Sequence, residues 1–289
     1  MKLARFKRDD SIAMGVVDGD RIIPLDALGF KTMLDIIDGG EAALAKIRDH
    51  AAGAQANVGQ ANIPLADVRL LAPIERPGKY LAIGMNYGKH LEEADKLGVA
   101  RAQYQTWFNK QTSCIAGPYD DIEPGVTEKL DYEIELGAII GKAAKHVAEA
   151  DALDHVFGYF VANDVSARDY QFHTPTFTMG KSFDTHGPIG PWIVTADEIP
   201  DPQTLDLRCY VNGDIRQSNN TGQMIHSLRQ QIAYLSSAFT LEPGDLIATG
   251  TPEGVGVGME PQQFLQPGDV VRCEIDGIGA IENRVAAKA

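Results

Sequence analysis

The segment Leu130-Asp131-Tyr132-Glu133-Ile134-Glu135-Leu136 constrains this chain more than any other, because it alternates acidic and apolar residues and then runs directly into Gly137-Ala138-Ile139-Ile140. Successive side chains of a strand point to opposite faces, so Asp131, Glu133 and Glu135 share one face and Tyr132, Ile134 and Leu136 the other. On pattern alone, the solvated edge of an amphipathic strand is the commoner explanation. Two features argue for burial instead. No Lys or Arg interleaves to relieve repulsion, and the following residues are apolar on both faces. Carboxylates buried side by side need a cation.

A further carboxylate, Asp164, ends the apolar run Gly158-Tyr159-Phe160-Val161-Ala162-Asn163, where a strand hands a side chain to a site. Alone, such an Asp is more often a turn or helix-cap residue. With Glu133 and Glu135 it completes an all-oxygen shell with room for water and substrate. That set suits Mg2+, Mn2+ or Ca2+ rather than Zn2+ or copper, which favour His and Cys.

Three other segments carry chemistry. His90 and Glu93 are three apart in a predicted helix start, so they share a face and can pair; a carboxylate behind an imidazole makes a general base for water, although an exposed His beside an exposed Glu has the same spacing. In Met179-Gly180-Lys181-Ser182, a phosphate loop would need Gly at position 175, which is Pro175, so Lys181 is either surface decoration or a fixed cation for a carboxylate or oxyanion. Thr249-Gly250-Thr251-Pro252-Glu253-Gly254-Val255-Gly256-Val257-Gly258 lacks the dinucleotide GxGxxG spacing; it lets backbone approach a ligand closely, with Thr251 as a donor.

Charge narrows the partners. Lys plus Arg total 26 against 40 Asp plus Glu, a net charge of −14, which speaks against nucleic acid and anionic membranes but not against a small acid met by a local cation. Cys114, Cys209 and Cys273 are dispersed, as suits a reducing cytoplasm, and the charged first ten residues form no secretory signal. No apolar run approaches the ~18 residues that span a bilayer.

Along the chain, residues 1–72 predict a small α+β domain: strands at Ala13–Val17 and Arg21–Leu25 around Asp18-Gly19-Asp20, helices over 32–50 broken at Gly39-Gly40, and a linker over 51–62. From residue 73 short apolar runs at 80–84, 134–140, 156–162, 192–194, 246–249 and 270–275 predict a β-rich barrel or roll. Pro243-Gly244-Asp245 and Pro267-Gly268-Asp269 punctuate two of these strands, and helical periodicity is clear over Gln223–Phe239.

Taken in order, Asn86-Tyr87-x-x-His90-x-x-Glu93, Asp131-Tyr132-Glu133-x-Glu135-Leu136, Asn163-Asp164-x-Ser166-x-Arg168-Asp169, Gly180-Lys181-Ser182-Phe183-Asp184 and Gly250-Thr251-Pro252-x-Gly254-Val255-Gly256 resemble the fumarylacetoacetate hydrolase family over roughly residues 70–282. The resemblance implies an α+β, β-rich architecture, with a β-roll catalytic domain over 73–289 behind the N-terminal domain, usually as a homodimer. It implies Mg2+ or Mn2+ on Glu133, Glu135 and Asp164, a water-activating His90 and Glu93, and a catalytic Lys181. Arg168, Gln171, Thr251 and Tyr87, in or beside these motifs, are expected at the substrate. The stretch 99–114 holds no residue that maps onto the family except Lys110.

These charges suit a 2-oxo acid. Chelation of its carboxylate and 2-oxo oxygen polarises the carbonyl and favours an enolate at C3. In a 2,4-dioxo acid (an acylpyruvate or a 2,4-diketo-3-deoxy sugar acid), water deprotonated by His90 attacks C4, Lys181 and Thr251 stabilise the oxyanion, and pyruvate leaves with a carboxylic acid. Hydrolytic C–C cleavage is the leading expectation. Oxaloacetate decarboxylation or isomerisation of a 5-carboxymethyl-2-hydroxymuconate type is the alternative. An idle binding protein of the same fold should have lost one of these groups.

Overall fold

The computed structural model describes residues 1–56, 62–96, 98 and 101–288. Strand Ile134–Ile140 is buried on both faces along its whole length, as its continuous apolar run requires. It lies in the middle of a twelve-stranded sheet, antiparallel to Val156–Asn163 on one side and to Leu246–Ala248 on the other. Beyond Leu246–Ala248 come Tyr80–Gly84, in parallel, and then Thr106–Asn109. The observed bounds of Tyr80–Gly84, Ile134–Ile140 and Val270–Ile275 are those predicted from the apolar runs.

In the other direction Val156–Asn163 pairs with Gly187–Thr195, which pairs with Lys2–Arg8 through Lys2↔Val194 and Leu3↔Ile193. The N-terminal residues therefore share a sheet with the remainder, and they share a core too: Leu3, Ile36 and Ile47 pack in one cluster with Phe157, Phe160 and Ile193. The expected hairpin forms between Ser11–Asp18 and Arg21–Pro24 around Gly19, whose φ is +58°. Helix Met33–Ala56 breaks at Gly40 (φ 52°, ψ −139°), again as expected. The predicted linker needs correction: the helix continues through residues 51–56, and 57–61 lie outside the described residues.

A second, four-stranded antiparallel sheet (Asp214–Asn220, Asp206–Val211, Val270–Ile275, Gly279–Arg284) packs on the first. Leu207, Cys209 and Cys273 from it meet Leu136, Ala138 and Val161 in a single core. The turn glycines Gly244 and Gly268, both at positive φ, precede their strands as read. The helix expected from Gln223 instead spans Leu228–Ala238, because Ser227 and Gln230 form a reciprocal capping box that sets its start. Among the described residues no helix is long and apolar enough to cross a membrane.

Candidate active site

The strand alternation fails at one point, and the failure shapes the site. Leu130–Asp131 pairs with Ser166–Ala167 in a separate ladder, and the long strand begins only at Ile134. Asp131 therefore turns away from Glu133 and Glu135. Its Oδ1 accepts from the backbone of Tyr132 (2.9 Å) and Gly256 (2.8 Å), and its Oδ2 from Arg168 Nε (2.8 Å) and Val257 N (2.9 Å). Asp164, beyond the end of Val156–Asn163, takes its place; its backbone N–H donates to Glu133 O (2.8 Å). Glu133, Glu135 and Asp164 are all buried and present oxygens within 4.8 Å of one another.

Three cations neutralise this cage. Lys181, closing the short helix Thr178–Lys181, sets Nζ 2.8 Å from both Glu133 Oε2 and Asp164 Oδ2. Arg168 Nη1 lies 2.7 Å from Glu133 Oε1, and its Nη2 is buried without a hydrogen-bond partner. Lys110 Nζ donates to Asp164 Oδ1 and to the backbone carbonyl of Lys181. Burial alone would raise the Glu133 pKa, but the charges of Lys181 and Arg168 outweigh it and hold the group well below the usual carboxylate range. Glu135 behaves oppositely. Burial, then the neighbouring charges of Asp164 and Glu133, push it well above that range, against one backbone donor, Gly250 N at 2.7 Å. A divalent cation fits these donors: three hard oxygens converge in a buried space, and among the described residues Glu135 has no side-chain cation within hydrogen-bonding distance.

Above the cage opens a cleft with Glu133, Arg168 and Lys181 at its charged end. On the helix Gly88–Lys96, His90 Nδ1 lies 3.1 Å from Glu93 Oε2, so the spacing-based pairing is realised and both residues line the cleft. Thr251 and Gln171 line it as expected, and Thr251 Oγ1 accepts from Gln217 Nε2 at 2.8 Å, which leaves its own hydroxyl proton to donate. Phe108, Phe172, Phe177, Val255 and Val257 form an apolar wall. Two lining residues, Met85 (φ 58°) and Phe177 (φ 59°), hold left-handed backbone, the kind of strain that concentrates at ligand sites.

Tyr87 is the correction. Its ring is fully buried in the same core cluster as Leu136, its hydroxyl has no hydrogen-bond partner among the described residues, and it does not line the cleft. The neighbouring Asn86 explains the motif structurally: its Nδ2 donates to His226 O (3.0 Å) and Thr249 O (2.7 Å), tying the strand–helix junction in place. Three residues act here without having been given a role from sequence. Lys110 lay in a stretch with no pattern except the lysine itself, of which residues 99 and 100 are outside the described residues. Asp131, which strand alternation places on the face of Glu133 and Glu135, is an anchor for Arg168 and the Gly256–Val257 backbone. Gln217, fully buried, joins Ile134 N to Thr251, and nothing in its own strand marks it.

A family profile described as fumarylacetoacetate hydrolase C-terminal matches residues 79–286, and one described as Rv2993c-like, N-terminal, matches residues 1–73. The chain is 44% identical over 295 residues to a mitochondrial oxaloacetate tautomerase of Xenopus laevis (99% of this chain, 90% of the relative) and 43% identical over 258 residues to one of Homo sapiens (88% and 80%). Among solved structures it resembles a fumarylacetoacetate hydrolase of Exiguobacterium antarcticum (TM-score 0.83, 37% identity, all of both chains). It also resembles a maleylpyruvate hydrolase of Sphingobium sp. SYK-6 in complex with manganese(II) and pyruvate (TM-score 0.82, 35% identity, all of both chains). With motifs, cage and cleft in agreement, the chain belongs to the fumarylacetoacetate hydrolase family.

Proposed function

We propose that the protein interconverts the keto and enol forms of a short 2-oxo diacid, with oxaloacetate as the reference substrate, by moving a proton at C3. The observation that carries this is the His90–Glu93 pair lining the same cleft whose charged end is built from Glu133, Arg168 and Lys181. The oxaloacetate tautomerases at 43–44% identity support the choice of substrate.

Glu133, Glu135 and Asp164 would hold a divalent cation, Mg2+ or Mn2+ in first place. That ion, when bound, supplies the charge that acidifies C3. Arg168, with one Nη free of protein partners, seats a substrate carboxylate. Lys181 holds the C2 oxygen as it gains electron density. Glu93 accepts the Nδ1–H of His90, a tautomer assigned from the hydrogen bond, which leaves Nε2 to take the C3 proton and hand it to the C2 oxygen.

The apolar wall favours a second reading, the hydrolytic cleavage of an acylpyruvate. Phe108, Phe172 and Phe177 would receive the acyl chain while His90 activates water for attack at C4. One panel separates the two: enol–keto interconversion of oxaloacetate, and pyruvate release from acetylpyruvate, fumarylpyruvate and oxaloacetate, each with Mg2+ or Mn2+ and with chelator. Metal-dependent interconversion without pyruvate supports the tautomerase. Pyruvate with a carboxylic acid makes the protein a hydrolase, and pyruvate with CO2 a decarboxylase.

A further inference from the structure

The loop Thr249–Gly258 is not a nucleotide loop, and besides lining the cleft with Thr251, Val255 and Val257 it reaches Glu93. We infer that Gly254 and Gly258 form a cradle for the carboxylate of Glu93, and through it are positioning residues for His90. Gly254 N donates to Glu93 Oε1 at 2.9 Å, while Glu93 Oε2 faces His90 Nδ1 at 3.1 Å. The two carboxylate oxygens therefore divide their work: one is held by the loop and the other orients the imidazole. Gly258 closes the cradle by what it lacks. A Cβ there would stand 2.9 Å from Glu93 Cδ and 3.1 and 3.2 Å from its two oxygens, with no other atom among its nearest contacts.

The loop itself is fixed from below. Gly254 has φ +98°, and a Cβ at that position would meet Arg216 O at 2.0 Å, so only glycine lets the neighbouring strand press its backbone there. Tyr132 Oη donates to Gly254 O at 3.0 Å, and Asp131 accepts from Gly256 N and Val257 N. Asp131 also holds Arg168, so the loop that grips Glu93, through its Gly256 and Val257 amides, and the guanidinium at the charged end of the cleft are both tied to one buried carboxylate.

The three glycines at alternate positions thus have separate causes: Gly254 faces a neighbouring backbone, Gly256 faces Gln263 O and Asp131 Oδ1, and Gly258 faces Glu93. Gly258 alone crowds nothing but a flexible side-chain end, and its backbone does not lie at positive φ. Gly258→Ala therefore displaces the Glu93 carboxylate while leaving the fold intact.

This rests on His90 acting as the base, and the test separates the two claims. Metal-saturated parent, His90→Ala, Gly258→Ala, Glu93→Ala and the Gly258→Ala/Glu93→Ala double variant are compared for kcat and KM on oxaloacetate, with Tm recorded and the His90 imidazole, where present, followed by 15N NMR. We expect Gly258→Ala to keep Tm, hold KM within about twofold and lower kcat about 10- to 100-fold, the scale of a small misplacement of a catalytic group. It should cause no further loss in the Glu93→Ala background, where the added methyl has room. Parent-like kcat in Gly258→Ala, or an equal loss in both backgrounds, overturns the cradle. If His90→Ala and Glu93→Ala both keep full turnover, the base assignment falls instead, and the NMR decides the cradle. Loss of the single Nδ1–H tautomer in Gly258→Ala supports it, and an unchanged spectrum overturns it.

Discussion

The ammonium of Lys181 lies 2.8 Å from Glu133 Oε2, within the group of carboxylates that would surround a divalent cation. A lysine and a metal ion therefore compete for the same negative charge. Replacing Lys181 with Met removes the competitor, so Mn2+ should bind more tightly, by about tenfold for each ~1.4 kcal/mol of repulsion relieved. The same variant should lose turnover, since the C2 oxygen then loses the ammonium that meets its growing charge. Calorimetric titration with Mn2+ checks the first part; weaker binding in Lys181→Met would place Lys181 among the groups that build the metal site.

Glu135 supplies a stability prediction with a definite sign. Its folded pKa is raised by burial and by Asp164 and Glu133 above the ordinary value of 4.5. Its acid form is thus favoured in the fold, a contribution fully present below about pH 4.5 and lost as pH rises toward the raised value. Metal-free Glu135→Gln should therefore outlast the parent increasingly from pH 5 to 8. Added Mn2+ should raise the parent's Tm at pH 8, by the equivalent of about 2.7 kcal/mol at a hundredfold excess over Kd, and leave Glu135→Gln unmoved. Parallel Tm–pH curves for the two proteins would contradict this.

Tyr87→Phe tests the placement of that ring in the core. The hydroxyl is buried and unpartnered, and removing such a group relieves a desolvation cost of about 1–3 kcal/mol. The variant should be at least as stable as the parent in denaturant unfolding, with kcat and KM unchanged. A raised KM would return Tyr87 to the substrate.

How much of this was legible in sequence depends on where each residue's partners lie. Glu133, Glu135, His90 and Glu93 pair within their own segment, so strand and helix spacing were enough to bring them together. Asp131 matched the same alternation, but the register breaks at Tyr132-Glu133 because Leu130–Asp131 pairs with Ser166–Ala167, a long-range choice that no local pattern encodes. In Lys2–Arg8 the charges of Lys2, Arg5, Lys7 and Arg8 interrupt the apolar residues and hide the strand pattern; the strand forms because Ser11–Asp18, Arg69–Leu71 and Gly187–Thr195 all pair with it. Lys110 and Gln217 gain their roles through distant partners, among them Asp164, 54 residues from Lys110, and Ile134, 83 residues from Gln217. The late start of helix Leu228–Ala238 was readable, since Ser227-x-x-Gln230 is a capping-box pattern.

The most direct test of the central claim is the rate at which enol-oxaloacetate converts to the keto form with Mg2+ present, followed by ultraviolet absorbance for the parent and for His90→Ala. The metal-dependent acceleration should fall by about 10²- to 10⁴-fold in His90→Ala, while the metal-induced rise in Tm persists. A His90→Ala protein as fast as the parent, or a parent no faster than its chelator-treated form, would contradict proton transfer by His90 over a carboxylate-held cation.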